Sequence, residues 1–258
     1  MGDPRAGTAP VAPGVHRLGD TVVNFYLVEG DEGPVLVDAG LPSHFGRLQE
    51  ALARTGHRPA DIRAVLLTHA HPDHTGLAER IRALSDAEVW VHRADAAILA
   101  DGPRSAMRHA KPERSMLPYL LRRPAAAAAP LHLARSGAFT APAVRRVLTF
   151  DDERTLDSVP GRPLAVPLPG HTTGSTGYLF ADRGLLFTGD ALVTYDGLTG
   201  HTGPCLVCRA FTHDTSAALR SLDRLAAQPA TLLLPGHGGP FAHGPAVAAD
   251  QARAVGAV

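Results

Sequence analysis

The stretch Thr68-His69-Ala70-His71-Pro72-Asp73-His74-Thr75-Gly76 decides how this sequence is interpreted. Its segment from His69 to His74 contains three histidines and one aspartate, and it follows directly on an apolar strand predicted over residues 63–67. Pro72 disfavours a continuous helix, so we predict a loop that turns these side chains toward one another. Imidazole and carboxylate groups bind zinc, iron or manganese. A turn capped by Asp73 would explain one of the four residues but not the three histidines.

Three further candidate ligands lie later in the chain, each where a predicted strand ends in a glycine-containing turn. They are His171 in Pro169-Gly170-His171, Asp190 in Thr188-Gly189-Asp190 and His237 in Pro235-Gly236-His237. Glycine allows the backbone to approach a metal ion closely. A single histidine in a turn is more often an ordinary polar residue than a ligand, so the three positions gain weight only as a set.

The hydrophobic pattern predicts short strands in two blocks, with helices between and after them. Apolar runs at 21–28 and 34–38 flank a glycine-containing turn and predict a hairpin. Ser43 is expected to be the N-cap of a helix at 45–54. Further strands are predicted at 88–92, 145–150, 164–168, 177–180, 184–188 and 231–234, and further helices at 77–84, 94–99, 214–227 and 246–255. Two packed sheets with helices outside, an α/β architecture, satisfy this pattern.

Residues 103–142 have a different composition, with arginines interleaved among Met and Leu residues and an Ala-Pro run. They lack the alternation of a strand and are predicted to be a helical insertion in one domain spanning residues 1–258. The segment is either a solvated helical arm or a lid over the site. Long insertions in compact domains are often functional, and we expect this one to border the substrate entrance.

The bulk composition excludes several classes of partner. The 25 basic and 25 acidic residues give a formal net charge of zero, so neither nucleic acid nor a membrane is an expected partner. No apolar stretch reaches the ~18 residues of a membrane span, and residues 1–13 lack the apolar run of a secretory signal. We therefore expect a cytoplasmic protein with a small-molecule substrate. Cys205 and Cys208 are expected to be reduced and without a catalytic role.

Five motifs in order give the chain a clear resemblance to a known family. They are Leu36-Val37-Asp38-Ala39-Gly40, the His69–His74 loop and the three glycine-containing turns at His171, Asp190 and His237. The chain resembles the metallo-β-lactamase superfamily and, within it, the glyoxalase II and lactonase-like hydrolases. The resemblance covers about residues 22–237 apart from the insertion, and it implies a four-layer αββα sandwich.

The resemblance also implies a centre of two divalent metal ions, most simply zinc, with iron or manganese as alternatives. His69, His71 and His171 would hold the first ion. Asp73, His74 and His237 would hold the second, and Asp190 would bridge the two. Asp38 would be a structural acid beside the ligands rather than a ligand.

The implied activity is hydrolysis of an ester, thioester or lactone bond. A water molecule shared by two divalent ions is acidified to hydroxide near neutral pH, and the ions stabilise the oxyanion that forms. Two alternatives stay open: a persulfide dioxygenase-like oxidoreductase with one iron ion, and a metal-binding member without turnover. The β-lactamases of this fold and its nucleases fit less well, because the former lack the bridging aspartate and the latter handle polyanions.

Tyr195 completes the list of candidate catalytic residues, with Asp73 and Asp190. It lies five positions after Asp190, where a loop leaving the metal centre stays near the reacting atoms. Its phenol could donate a hydrogen bond to the substrate carbonyl or the leaving oxygen. The alternative is a half-buried tyrosine that packs the loop.

Overall fold

A computed structural model describes residues 10–257 of the chain. Residues 1–9, which form most of the segment that was expected to lack a secretory signal, lie outside the described part. Residues 10–150 contain seven strands, three helices and the segment at 103–142, and a second sheet, a hairpin and two helices follow. The predicted αββα sandwich is confirmed.

The first sheet has seven strands in the order of the chain. They are β1 (Pro10–Ala12), β2 (Val15–Gly19), β3 (Asn24–Val28), β4 (Val35–Val37), β5 (Ala64–Leu66), β6 (Glu88–His92) and β7 (Leu148–Phe150). Strands β1 to β4 pair antiparallel, as short turns allow, whereas β4 to β7 pair parallel through helical crossovers. The loops that leave β4, β5 and β6 therefore meet at one edge of this sheet.

The second sheet has five strands in the order β14-β11-β10-β9-β8. They are β8 (Arg154–Thr155), β9 (Leu164–Pro167), β10 (Thr176–Phe180), β11 (Leu185–Gly189) and β14 (Leu232–Pro235). Strands β11 and β14 run parallel, with Phe187 opposite Leu234. A separate hairpin of β12 (Val193–Tyr195) and β13 (Thr202–Cys205) follows β11.

Three layers of apolar side chains hold the sandwich together. The inner faces of the two sheets pack on each other through residues such as Tyr26, Leu66 and Phe187. Helices α1 (Phe45–Arg54), α2 (Ala78–Ser85) and α3 (Ala96–Asp101) cover the outer face of the first sheet. Helices α7 (Thr215–Ala226) and α8 (Gly244–Val255) cover the outer face of the second sheet. Among residues 10–257, every helix is too short or too polar to traverse a bilayer.

The segment at 103–142 forms three short helices, α4 (Ala106–His109), α5 (Leu117–Arg122) and α6 (Ala128–Arg135). Three side chains attach it to the sandwich. His132 contacts Asp20 at 2.6 Å. Glu113 accepts a hydrogen bond from the backbone N–H of Thr215, the first residue of α7, at 2.7 Å. Arg123 contacts the turn of the β12–β13 hairpin. The segment is therefore held at both ends and in the middle.

Two of the differences between the structure and the sequence expectations lie between Asp20 and Phe45. Ser43 is not the N-cap of α1, because Pro42–His44 form a short 3₁₀ turn and His44 occupies the N-cap position. The strand expected from residue 21 begins at Asn24, because the Asp20 carboxylate accepts hydrogen bonds from the backbone N–H groups of Val22 and Val23. The resulting turn delays the start of the strand.

Phe187→Ala tests the inner core. Phe187 is 1% exposed and makes edge contacts with Tyr26 and Phe180, with ring centroids 5.1 and 5.6 Å away. Truncation leaves a cavity between the sheets, so the free energy of unfolding should fall by about 3–5 kcal/mol in urea titrations. Leu121→Ala, at a side chain that is 74% exposed, is the control and should change it by less than about 0.5 kcal/mol. Equal losses in the two variants would contradict this description of the core.

Candidate metal centre

The seven predicted ligands lie in four loops that meet at the same end of the two sheets. His69, His71, Asp73 and His74 follow β5. The other three follow β9, β11 and β14 and are His171, Asp190 and His237. Their strands belong to different sheets, so the packing of one sheet on the other brings the loops together. The structure places all seven side chains in one cluster.

The cluster contains three overlapping groups of ligand atoms. They are His69, His71 and His171; His69, His74 and Asp190; and Asp73, His74 and His237. Within each group, the ligand atoms lie within 4.8 Å of one another. This separation is close enough for one cation to reach all three members of a group, so the groups correspond to the two halves of the predicted centre and their shared carboxylate.

Asp190 lies between the two halves. Its Oδ2 is 3.4 Å from Nε2 of His171 and 3.1 Å from Nε2 of His237. Its Oδ1 is 3.5 Å from Nε2 of His74. One carboxylate therefore faces imidazoles of both groups, which is the geometry that a bridging ligand needs.

Several polar atoms of the cluster are buried and have no hydrogen-bond partner. Within residues 10–257 they are Nε2 of His69, Nε2 of His74, Nδ1 of His171 and Oδ1 of Asp190. A buried polar atom without a partner is costly, and such atoms are rare in folded proteins. Two divalent ions would supply the missing partners, and the mixture of imidazole and carboxylate suits zinc, iron or manganese. The residues present therefore fit a two-metal centre.

Neighbouring groups fix the orientation of two of the imidazoles. Nδ1 of His74 contacts Oδ2 of Asp38 at 2.9 Å, and Thr68 donates its backbone N–H to Oδ1 of Asp38 at 2.8 Å. Nδ1 of His237 contacts the carbonyl oxygen of Val22 at 2.5 Å. Each contact leaves the opposite nitrogen, Nε2, facing the cluster. Such contacts hold a ligand in its binding orientation before the metal arrives.

Asp95 was not identified from the sequence, although it joins two of the ligand loops. It is 1% exposed and accepts hydrogen bonds from the backbone N–H of Ala70 at 2.9 Å, the hydroxyl of Thr172 at 2.8 Å and the N–H of Gly174 at 2.9 Å. Asp95 follows β6, which is parallel to β5. A carboxylate just after a parallel strand, at the edge where the ligands lie, is the signal that could have found it.

Gly236 allows the last ligand loop to approach the bridging carboxylate. A Cβ atom at this position would lie 2.3 Å from Oδ1 of Asp190 and 2.6 Å from the ring of His74. No side chain other than the hydrogen of glycine fits there. The glycine in the Pro235-Gly236-His237 motif is thus required by the close packing of the ligands.

The imidazoles fall into two electrostatic classes. Burial lowers the pKa of His69 and of His171 well below its usual value, and nearby imidazoles add to the effect. Burial also lowers the pKa of His71. These three histidines are neutral near pH 7 and can bind a metal ion without losing a proton.

His74 and His237 behave in the opposite way. Burial opposes their charged form, but the Asp190 and Asp38 carboxylates outweigh it at His74 and raise its pKa to about 9. Asp190 and Asp73 raise the pKa of His237 to about 10. Burial also opposes the charge of Asp190, yet His237 and His74 hold its pKa well below the usual range. The metal-free pocket therefore carries two protonated imidazoles beside an ionised carboxylate.

The hairpin that carries Tyr195 lies along the loop of His237. The backbone N–H of Thr194 donates to the carbonyl oxygen of His237 at 3.1 Å. Tyr195 is half-buried, and its hydroxyl accepts a hydrogen bond from Arg123 at 3.3 Å. The backbone at Tyr195 is therefore beside the His237 loop, and the candidate phenol already has one partner.

Cys205 and Cys208 are buried free thiols. Burial raises the pKa of Cys205 to about 12, and it raises the pKa of Cys208 as well. Thiols with such pKa values are poor nucleophiles and poor metal ligands near neutral pH. This agrees with the expectation that neither cysteine has a catalytic role.

Comparison with families and with curated proteins gives consistent matches. A family model described as the metallo-beta-lactamase superfamily matches residues 18–237. The uncharacterised protein YobT of Bacillus subtilis is 30% identical over 220 residues, which cover 84% of this chain and 83% of YobT. The probable metallo-hydrolase YflN of the same organism is 28% identical over a region that covers 89% of this chain and 86% of YflN. The acyl-coenzyme A thioesterase MBLAC2 of Bos taurus is 29% identical over a region that covers 67% of this chain and 59% of MBLAC2.

Solved structures support the same relationship. The metallo-beta-lactamase family protein TTHA1429 of Thermus thermophilus superposes with a TM-score of 0.66 at 28% identity, over 93% of this chain and 78% of that chain. The protein TTHA1623 in a di-iron-bound form superposes with a TM-score of 0.58 at 28% identity, over 88% of this chain and 92% of that chain.

Metal loading should release protons from one half of the cluster only. Near pH 7 an ion bound by Asp73, His74 and His237 would have to displace a proton from each imidazole, because both imidazoles have raised pKa values. We expect the imidazoles to release about two protons for this ion and almost none for an ion bound by His69, His71 and His171. Titration calorimetry in buffers of different ionisation enthalpy measures both.

The release should decline toward zero as the pH rises past about 10, and affinity for the second ion should fall as the pH is lowered. Equal proton release for both ions would show that the two halves do not differ in protonation.

Proposed function

This chain belongs to the metallo-beta-lactamase superfamily, and we propose from that premise that it is a hydrolase with two metal ions that cleaves an ester, thioester or lactone bond. The observation that carries the proposal is the position of Asp190, whose two oxygens face imidazoles of both ligand groups. The glyoxalase II and lactonase-like branch accounts best for the motifs. The similarity to the thioesterase MBLAC2 supports the inclusion of thioesters.

The ligand assignment follows the two groups. His69, His71 and His171 would hold one ion, Asp73, His74 and His237 the other, and Asp190 both. When bound, the ions supply an acidified water as nucleophile and stabilise the negative charge that develops on the substrate carbonyl oxygen. Zinc is our first choice of metal, and the di-iron form of TTHA1623 makes iron the main alternative.

The protein's own groups orient these ligands and handle protons. Asp38 and the Val22 carbonyl hold the rings of His74 and His237 in place. Oδ2 of Asp73 lies 3.7 Å from Nε2 of His74 and 3.6 Å from Nε2 of His237. The Asp73 side chain is 13% exposed, against 4% for Asp190, so we assign to Asp73 the exchange of protons with the substrate and solvent.

Residues 103–142 form, in this proposal, an insertion in a single domain and one wall of the substrate entrance. Arg123 supports this placement, because it contacts the hairpin that borders the His237 loop. Loops and insertions around a shared centre determine specificity in a fold of this kind, so the substrate has to be sought through this segment.

Metal analysis combined with turnover assays tests the proposal against its two rivals. We expect close to two transition-metal ions per chain and hydrolysis of simple esters or thioesters. One iron ion with oxygen uptake on a persulfide would favour a dioxygenase. Tightly bound metal without turnover of either kind would favour a binding protein.

Replacement of the bridging residue or of a histidine ligand should remove metal and activity together. In Asp190→Ala and His69→Ala, solvent cannot replace a buried ligand without loosening the site, so metal content and hydrolysis should both fall by at least about tenfold. The control is His16→Ala, since His16 contacts Glu29 and none of the seven ligands. Full activity in a metal-free Asp190→Ala protein would end this mechanism.

Tyr195→Phe tests the assignment of the phenol as a hydrogen-bond donor to the reacting oxygen. Loss of such a donor should lower kcat by roughly tenfold to a hundredfold with metal content unchanged. Tyr119→Phe is the matched control, because Tyr119 packs in an apolar cluster between the insertion and residues that follow β12, among them Leu198 and Cys208. Unchanged kcat in Tyr195→Phe would return Tyr195 to a packing role.

A further inference from the structure

The insertion carries an unbalanced positive charge, although the whole chain is neutral. Residues 103–142 contain seven basic residues and one acidic residue, Glu113. Glu113 is already engaged, since Arg209 donates to its carboxylate at 2.7 Å. The insertion has no further carboxylate side chain. The acidic residues that offset its positive charge therefore lie in other parts of the chain.

Arg123 is a basic residue of this segment that contacts the hairpin beside the His237 loop. Its Nη1 donates to the carbonyl oxygen of Gly197 at 2.9 Å, and its Nη2 donates to the hydroxyl of Tyr195 at 3.3 Å. The side chain is half-buried, and no carboxylate within residues 10–257 lies within 4.0 Å of its guanidinium. Arg123 thus holds a partly desolvated charge with neutral partners only.

The nearest acid along the hairpin does not neutralise Arg123. The Asp196 carboxylate accepts hydrogen bonds from the backbone N–H groups of Leu198, Thr199 and Cys208 at 2.9, 2.7 and 2.8 Å. These bonds shape the turn between β12 and β13 and occupy both carboxylate oxygens. Within residues 10–257, the guanidinium therefore forms no direct ion pair with a carboxylate.

The turn is formed closely around the guanidinium. Gly200 has a φ of +79°, and a Cβ atom there would lie 2.7 Å from Nη1 and 2.8 Å from the central carbon of Arg123. Beside the same turn, at the end of β12, a Cβ atom on Gly238 would lie 2.7 Å from the backbone nitrogen of Tyr195. The Tyr195 residue therefore links the Arg123 guanidinium to Gly238, which directly follows the candidate ligand His237.

We propose that Arg123 binds a carboxylate of the substrate, so that the enzyme prefers esters or thioesters that carry a second, anionic group. A guanidinium has five N–H donors in a planar fork that matches a carboxylate. Gly197 and Tyr195 engage two of these donors and hold the fork in place, and the remaining donors have no acceptor within residues 10–257. This inference rests on the proposed hydrolase function and adds the class of substrate to it.

Three phenyl esters test the inference in the metal-loaded protein. Phenyl acetate is neutral, monophenyl succinate carries a carboxylate on the acyl side, and 4-acetoxybenzoate carries one on the leaving group. In Arg123→Gln, the kcat/KM for at least one carboxylate ester, taken relative to phenyl acetate, should fall by roughly tenfold to a hundredfold, mainly through KM. The ester that responds identifies the side of the bond on which the anion lies.

Two variants separate anion binding from other effects. Arg122→Gln removes the same charge from the adjacent, exposed position and should leave the ratios as in the wild type. Arg123→Lys keeps the charge without the fork and should recover part of the preference. Equal losses on all three esters in Arg123→Gln would show that Arg123 only positions Tyr195, and unchanged ratios would also overturn the inference.

A binding measurement keeps the test independent of turnover. Succinate should raise the Tm of the metal-loaded wild type more than acetate does, and Arg123→Gln should abolish this difference. If the wild type hydrolyses none of the esters but shows the succinate effect, the hydrolase proposal fails and the anion site stands. Equal responses of wild type and Arg123→Gln to succinate would refute the anion site whatever the esters show.

Discussion

The burial of the Asp190 carboxylate among imidazoles is the constraint on which the rest of the architecture depends. An anion that is 4% exposed is unstable unless cations or donors surround it. The loops that carry the histidines therefore have to meet at one point. Parallel pairing of β11 with β14 brings Asp190 and His237 to the same edge, and the packing of the two sheets adds the His69–His74 loop that follows β5.

The order of the main elements could be predicted from hydrophobic periodicity alone. β6 has the predicted bounds, and α1 and α7 agree with their predictions to within a residue at each end. The strands β1 and β2 and the hairpin β12–β13 were missed, because β1 has only three residues and the other strands are partly polar without clear alternation. The start of β3 depends on the Asp20 carboxylate, a side-chain interaction that a periodicity argument does not contain.

The candidate ligands could be predicted because four of them lie within six consecutive residues, and each of the other three follows a predicted strand in a glycine-containing turn. Their assignment to two ions stays a prediction, which the three ligand groups support. Asp95 could not be found in this way, because a single aspartate at the start of a helix is usually a cap, and its contacts to Ala70, Thr172 and Gly174 exist only after the sheets have packed. The sequence does not distinguish Arg123 from the other arginines of residues 103–142, because its contact with the hairpin exists only in the folded structure.

The spread of the ligands along the chain has a consequence for biosynthesis. The His69–His74 loop leaves the ribosome early, but β14 and His237 follow only after more than half of the chain has been added. A nascent polypeptide therefore exposes a histidine-rich segment that lacks its closing partners, and any ion captured at that stage keeps open coordination positions. Because structural metal affinity grows with the completeness of the ligand set, secure metal acquisition has to await the docking of the final strand.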